Sequence, residues 1–407
     1  MKVKWMWGCL AAGAILCSCT RDFSIFPVPE TRRPWTALEK EVLSTSSDFG
    51  IRLFKELIGT EAEKNVFISP LSVSLALGMT LNGAAGQTEA DMRDVLGFSG
   101  MGSSQINEAY RQLTDRLKGM DPGVVLEIAN SLWARLGFEV EKPFIEANRS
   151  YFDALARTLD FGLPSAKDTI NGWIETKTHG RVQHMVERIG RDDVLFIVDA
   201  VFFKGIWTVR FDESLTRNGS FIQTGGTALA CPMMHLETDL PYLETDEFQA
   251  VDLDYGSGHF SMTVLLPKEG VSVDALASML TSETWADWTG RFTPTNGALT
   301  LPKFKTEYGT DLKQALIRLG MGVAFTGGAD FTRISRTGGL FIGQVLHKAF
   351  VDVNEEGTEA AAATVVVILR GPPSGFQMAV TRPFLFAIRE KETGAVLFIG
   401  KIVDPTR

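Results

Sequence analysis

The segment that decides the fold runs from Val353 to Gly375 and reads VNEEGTEAAAATVVVILRGPPSG. Two acids and a glycine lead into Thr358; Glu359, four alanines, a β-branched apolar run, a single arginine and two prolines follow. In a strand, side chains alternate between faces. With Thr358 turned inward, Ala360, Ala362, Thr364, Val366 and Ile368 share its face, and none of them is charged. Glu359, Ala361, Ala363, Val365 and Val367 then face outward, which leaves the acid in water. A slip of one residue would bury Glu359 at a cost on the order of several kcal/mol. Each ladder hydrogen bond contributes only ~1 kcal/mol net. The segment can therefore serve as an interior strand in one register, with Gly357 as its bend. Read alone, the same residues also suit an alanine-rich helical turn followed by an ordinary strand.

The rest of the chain has a globular balance, with 45% hydrophobic and 22% charged residues among 407. Its net charge of −9 and the lack of any basic run argue against general affinity for nucleic acid. The 27 phenylalanines and 8 tryptophans point to a large packed core. Residues 1–18 read as a signal peptide: MKVK supplies a positive start, and WMWGCLAAGAIL is too short to cross a bilayer. LCSC at residues 16–19 looks like a bacterial lipobox, with small Ser18 ahead of Cys19 as the lipidated residue. Plain secretion after cleavage is the other reading. Residues 19–36 hold three prolines and no helical period, as a lipid-anchored tether would. The remaining 37–407 read as one domain. Three of the four cysteines lie in the signal region, so Cys231 stands alone in the body, without a disulfide framework. It is expected as a small buried hydrophobe.

Periodicity marks several elements. ALEKEVLSTSSDFGIRLFKELIG spaces its apolar residues as a helix, with Gly59 just past the end. SPLSVSLALGMTLNGA offers Ser69 as N-cap and Pro70 at the first helical position, and its apolar residues surround the axis, as in a buried helix. INGWIETKTHGRV reads as a helix ended by His179 and Gly180. Strands are expected at VLEIANSLWA, DVLFIVDAVFFKGIW, FQAVDLDY, FSMTVLLP, GALTLPKFKTEY, VLHKAFVDVNEE, FLFAIRE and AVLFIGKIV. REKETGAV reads as the hairpin turn between the last two. Helices dominate early and strands late, which indicates an α+β fold.

Catalytic patterns are missing from the sequence. The five histidines form no HExxH pair and no zinc spacing. There is no phosphate-binding loop, dinucleotide glycine fingerprint or GxSxG elbow. The expectation is a protein that is not an enzyme and takes no metal or cofactor.

Five blocks, in order, resemble the serpin family. They are NVFISPLSVSLALGMTLNGAAGQTEADM (65–92), FFKGIW (202–207), PKFKTEYGTDLKQALIRLGMGVAF (302–325), HKAFVDVNEEGTEAAAA (347–363) and RPFLFAIREKETGAVLFIGKIVDP (382–405). The resemblance implies one α+β domain of three β-sheets and eight or nine helices, monomeric, with an exposed reactive-centre loop. It also implies a mechanism. A target serine protease, or a cysteine protease of like specificity, cleaves the loop and forms an acyl-enzyme. The freed loop then inserts into the main sheet and traps the protease as a covalent complex.

On this resemblance the loop hinge comprises Glu355, Glu356, Gly357, Thr358, Glu359, Ala360, Ala361, Ala362 and Ala363. Family spacing from Glu355 lands on Arg370 or Gly371. Arg370–Gly371 is the better reactive bond, because proline after Gly371 lacks an N–H and restricts the backbone. Arginine before the bond suits trypsin-like proteases; Val367, Ile368 and Leu369 offer bonds to elastase-like or chymotrypsin-like enzymes. Ser69, Ser72 and His347 match the family's hydrogen-bonded cluster where the sheet opens, and Trp207 matches the aromatic where the loop enters. Asp199 stands where the family usually has asparagine. A carboxylate near His347 would favour the imidazolium and make opening pH-dependent near neutrality. Simple acceptance of backbone N–H bonds by Asp199 is the alternative. Two other functions compete with inhibition: a non-inhibitory serpin acting as a binding or carrier module, and a lipid-anchored hydrolase.

Overall fold

A computed structural model describes residues 33–358 and 375–407. Residues 1–32, with Cys19 and most of the expected tether, lie outside it, as do residues 359–374, with Glu359 to Ala363, Arg370 and Gly371. Nine α-helices occur among the described residues: α1 (Ala37–Ile58), α2 (Pro70–Leu81), α3 (Gly86–Leu96), α4 (Ser103–Leu117), α5 (Lys142–Phe152), α6 (Pro164–Lys177), α7 (Val273–Met279), α8 (Ser282–Gly290) and α9 (Lys313–Leu316). The strands are β1 (Val66–Ile68), β2 (Val124–Arg135), β3 (Leu155–Leu159), β4 (Leu195–Ile206), β5 (Arg217–Ile222), β6 (Ala228–Glu244), β7 (Phe248–Tyr255) and β8 (Phe260–Pro267). They continue with β9 (Thr293–Pro302), β10 (Phe304–Asp311), β11 (Leu346–Asn354), β12 (Gly357–Thr358), β13 (Phe376–Ala379), β14 (Phe384–Glu390) and β15 (Val396–Ile402).

Six strands form one sheet in the order β10-β11-β12-β4-β2-β3. The other nine form a second set, β1-β15-β14-β8-β7-β6-β9-β13, with β5 paired to β6. The three sheets implied by the resemblance thus merge into two hydrogen-bonded sets. The long β6 joins what would be separate sheets, pairing along its length with β5, then β9, then β7.

Local sequence explains the elements that frame the site. Ser69 caps α2 by accepting from the Ser72 N–H, and Pro70 opens the helix where its missing donor costs nothing. Every residue of α2 except Ala76 is buried, as its all-round apolar pattern requires. One face of β4 turns toward α2 and the second sheet: Phe203 packs edge-on against Tyr255, Phe260 and Phe398. Its other face carries Val198 into a cluster with Trp133, Ile170 and Ile174, under α6. That helix begins at Pro164, before the stretch that sequence periodicity marked, and stops at Thr178; His179 and Gly180 follow with φ of 50° and 78°.

The body starts earlier than the expected boundary at residue 37. Thr36 and Glu39 form a capping box, and Arg33 grips Glu39 with two bonds of 2.6 and 2.8 Å. Burial pushes the Glu39 carboxyl up, but the bonds from Arg33 and Thr36 outweigh it and bring the pKa down to about 2. Trp35 is buried beneath the Arg116 guanidinium, 3.6 Å from its ring centroid. The last four residues of the expected tether are therefore part of the folded domain. Cys231 is buried, and burial pushes its thiol pKa up.

Candidate functional site

The expected hinge sits where three strands meet. After β11, Glu355 and Glu356 turn the chain, and Gly357 and Thr358 run back as the short β12. This strand is antiparallel to both neighbours: Thr358 faces Val353 of β11 and Gly205 of β4, and Gly357 faces Asn354 and Ile206. The Thr358 side chain points inward and exchanges a 2.7 Å hydrogen bond with the Tyr255 hydroxyl. Gly357 is needed on two counts: its φ is 153°, and a Cβ there would lie 2.0 Å from the Gly205 carbonyl oxygen.

Trp207 braces the turn. Its ring stacks on Tyr255 with centroids 4.4 Å apart, its indole N–H donates to Asn354 O at 2.9 Å, and its backbone N–H donates to Glu356 O at 2.8 Å. The Phe211 N–H donates to Glu355 O at 3.0 Å. Glu355 is buried; its carboxylate takes an ion pair from Lys303 and a hydrogen bond from the Thr216 hydroxyl, each 2.7 Å. Burial raises its pKa, and these partners more than reverse the shift, so the group stays ionised. Lys303 reaches Glu355 because it is the single residue between β9 and β10, where the chain passes from one sheet to the other. Lys303, Thr216 and Tyr255 were not picked out from sequence. Their separation from the hinge along the chain hides them, although Lys303 and Tyr255 fall in stretches already read as strand.

Farther along β4 and β11, the structure brings Ser69, Ser72, Asp199 and His347 together. Ser69 Oγ donates to Leu397 O at 2.9 Å and accepts from the Ser72 N–H at 3.2 Å. The Ser69 N–H donates to His347 Nε2 at 3.2 Å, and the Ser72 hydroxyl donates to Asp199 Oδ1. Asp199 Oδ2 is buried without a hydrogen-bond partner.

The expectation that Asp199 would hold His347 as an imidazolium is corrected. Nε2 accepts a hydrogen bond, which an imidazolium cannot do. Burial pushes the His347 pKa down to about 4. Burial likewise pushes the Asp199 carboxyl up to about 8, against the opposing Ser72 bond. Both side chains are neutral at pH 7, so no ion pair forms between them. The alternative for Asp199 also differs from what is seen: its donor is the Ser72 hydroxyl rather than a backbone N–H.

A serpin (serine protease inhibitor) family profile matches residues 44–405. Iripin-2 of Ixodes ricinus is 35% identical, over 90% of this chain and 94% of its own length. A serpin-like protein of Thermococcus kodakarensis is 34% identical, over 90% of this chain and 86% of its own. Among solved structures, the thermophilic serpin Tengpin in its native state superposes with a TM-score of 0.83 at 32% identity, covering 93% of this chain and 97% of that one. Human thyroxine-binding globulin in complex with its ligand superposes at 0.82 and 27% identity, covering 91% of this chain and all of the other. This chain belongs to the serpin family, whose members are for the most part protease inhibitors.

Proposed function

We propose that this serpin is an irreversible suicide-substrate inhibitor of serine endopeptidases of trypsin-like specificity, with cysteine endopeptidases of similar preference as a second target class. The observation that carries the reading is β12, a two-residue strand already hydrogen-bonded between β11 and β4. Each residue added to it moves one position back along both neighbours. Continued in that register, Ala360 and Ala362 would oppose Phe203 and Val201, Thr364 would reach Asp199 on one side and His347 on the other, and Val366 and Ile368 would oppose Ile197 and Leu195. The two alanines would meet Phe203 and Val201, the Thr364 hydroxyl would meet the polar pair, and the last two residues would meet apolar side chains. Glu359 and the other alternates fall on the opposite face. Cleavage at Arg370–Gly371 would release the segment to take this path while the protease is still acylated. Among the described residues β4 and β11 each pair with β12 and not with each other; Ser69, Ser72, Asp199 and His347 would line the gap that the segment enters, with Trp207 holding the upper end. The chain would work outside the cytoplasm as a monomer, exported by residues 1–18 and anchored through Cys19.

Incubation with trypsin tests the proposal: a covalent complex that survives boiling in detergent is expected, and Arg370→Ala should abolish it. Inhibition unchanged by that substitution would rule out this bond. A second reading, a non-inhibitory carrier, has support in the likeness to thyroxine-binding globulin bound to thyroxine. Clean cleavage of the loop without a complex would favour it.

A further inference from the structure

On the path that Thr364 to Ile368 would take lies a cavity of about 340 Å³, within the range of small-ligand sites. It is lined by α2 from Ser72 to Thr80, by the starts of β4 and β11, by Asp192 to Val194 and by Gly339 to Val345. The lining is mostly apolar, with Leu77, Phe331, Ile334 and Leu346 among its larger side chains. Two features give it chemical direction. Asp199, 7% exposed, lines it and keeps Oδ2 without a partner. Asp192 and Asp193 also line it, and among the described lining residues there is no lysine or arginine. The lone imidazole, His347, is neutral and already bonded to the Ser69 N–H.

We propose that this cavity binds an amphiphilic monoamine, its ammonium on Asp199 Oδ2 and its apolar body among Leu77, Phe331, Ile334 and Leu346. An apolar wall alone would take any hydrophobe; the unfilled acceptor selects one with a cationic donor, and the outer acids favour its approach. Charge balances simply. Burial pushes the Asp199 carboxyl up to about 8 against the Ser72 bond and the charge of Lys118, so near pH 7 it would hold a proton when the cavity is free; an arriving ammonium would displace that proton to solvent and leave an ion pair. The occupant would touch both strands that flank Gly357 and Thr358. If the inhibitory reading above holds, on which this last consequence rests, it would also slow capture of the protease.

The test is calorimetry on the full chain with phenylbutylamine and with phenylbutanol, its uncharged counterpart. The amine should bind at least about tenfold more tightly. It should release about one proton near pH 7, read from the heats in two buffers of different ionisation enthalpy. Asp199→Asn, which puts the residue usual in the family at this position, should erase both the preference and the proton release. Equal affinities, no binding of either compound, or a preference that survives the substitution would overturn the proposal. The comparison on the unaltered protein suffices by itself should the variant fold poorly. Amine-selective binding without a covalent trypsin complex would keep the site and remove the inhibitory reading; a trypsin complex without amine selectivity would do the reverse.

Discussion

At Asp199, burial raises the carboxyl pKa from 3.8 to about 8, and at His347 it lowers the imidazole from 6.5 to about 4. The signs are opposite. Folding holds a proton on Asp199 that the unfolded chain has lost, so that contribution to stability is full below about 4 and disappears as pH rises through about 8. His347 gives stability above 6.5 that is lost as pH falls through about 4. Between about 4 and 6.5 the two cancel; above 6.5 Asp199 acts alone. Thermal melting should therefore show Tm falling between about pH 6.5 and 8.5, and Asp199→Asn should flatten that fall. An identical slope in the variant would remove the carboxyl as the cause. Sequence reading found this residue as a departure from the family pattern, yet misjudged its charge. Type and neighbours are visible in a sequence; the depth of burial that decides ionisation is not.

Among the elements, β12 has no room for a side chain at Gly357. Gly357→Ala would drive a methyl into the Gly205 carbonyl and force β4 away. Overpacking of this kind costs about 1–3 kcal/mol, and a Tm lower by several degrees should report it; an unchanged Tm would show that the turn can move aside. The elements legible in sequence were those with clear alternation or helical spacing: α1, α2, β2, β4, β7, β8, β11, β14 and β15, with the second half of α6. GALTLPKFKTEY hid two strands, because Lys303 marks a change of sheet rather than a change of composition. The long β6 escaped notice for a different reason. Pro232 and Pro241 interrupt its pattern, and proline argues against an interior strand. Here Pro241 lies opposite another proline, Pro294, so at that rung neither strand has an N–H to leave unpaired. Of the candidate site, Ser69, Ser72, His347 and Trp207 came from the family blocks, and Asp199 from its departure from the family pattern. Glu355's partners did not, since no local pattern announces a contact between distant segments.

For the whole molecule, the proposed mechanism requires a native form that is not the most stable arrangement of its own chain. Ten residues, Glu359 to Ile368, would gain neighbours on two sides by insertion. At ~1 kcal/mol per ladder bond the gain is on the order of 10 kcal/mol before any side-chain burial. Protein nicked once at Arg370–Gly371 should melt more than about 10 °C above the intact chain; an equal or lower Tm would mean that no such reserve exists. The family relationship made this architecture readable from five blocks, whereas composition and periodicity alone reached only α+β.

The brace around Trp207 has a kinetic consequence. Closing a flexible loop onto a sheet ordinarily begins with a search for its first contact, and that search slows long-range pairing. With the Thr358 hydroxyl on Tyr255 and both edges of β12 already bonded, that first contact is in place, so under the proposed mechanism the search would be complete before any protease arrived. What the proposed mechanism would still need is propagation, one rung after another, racing the water that would free an acylated enzyme.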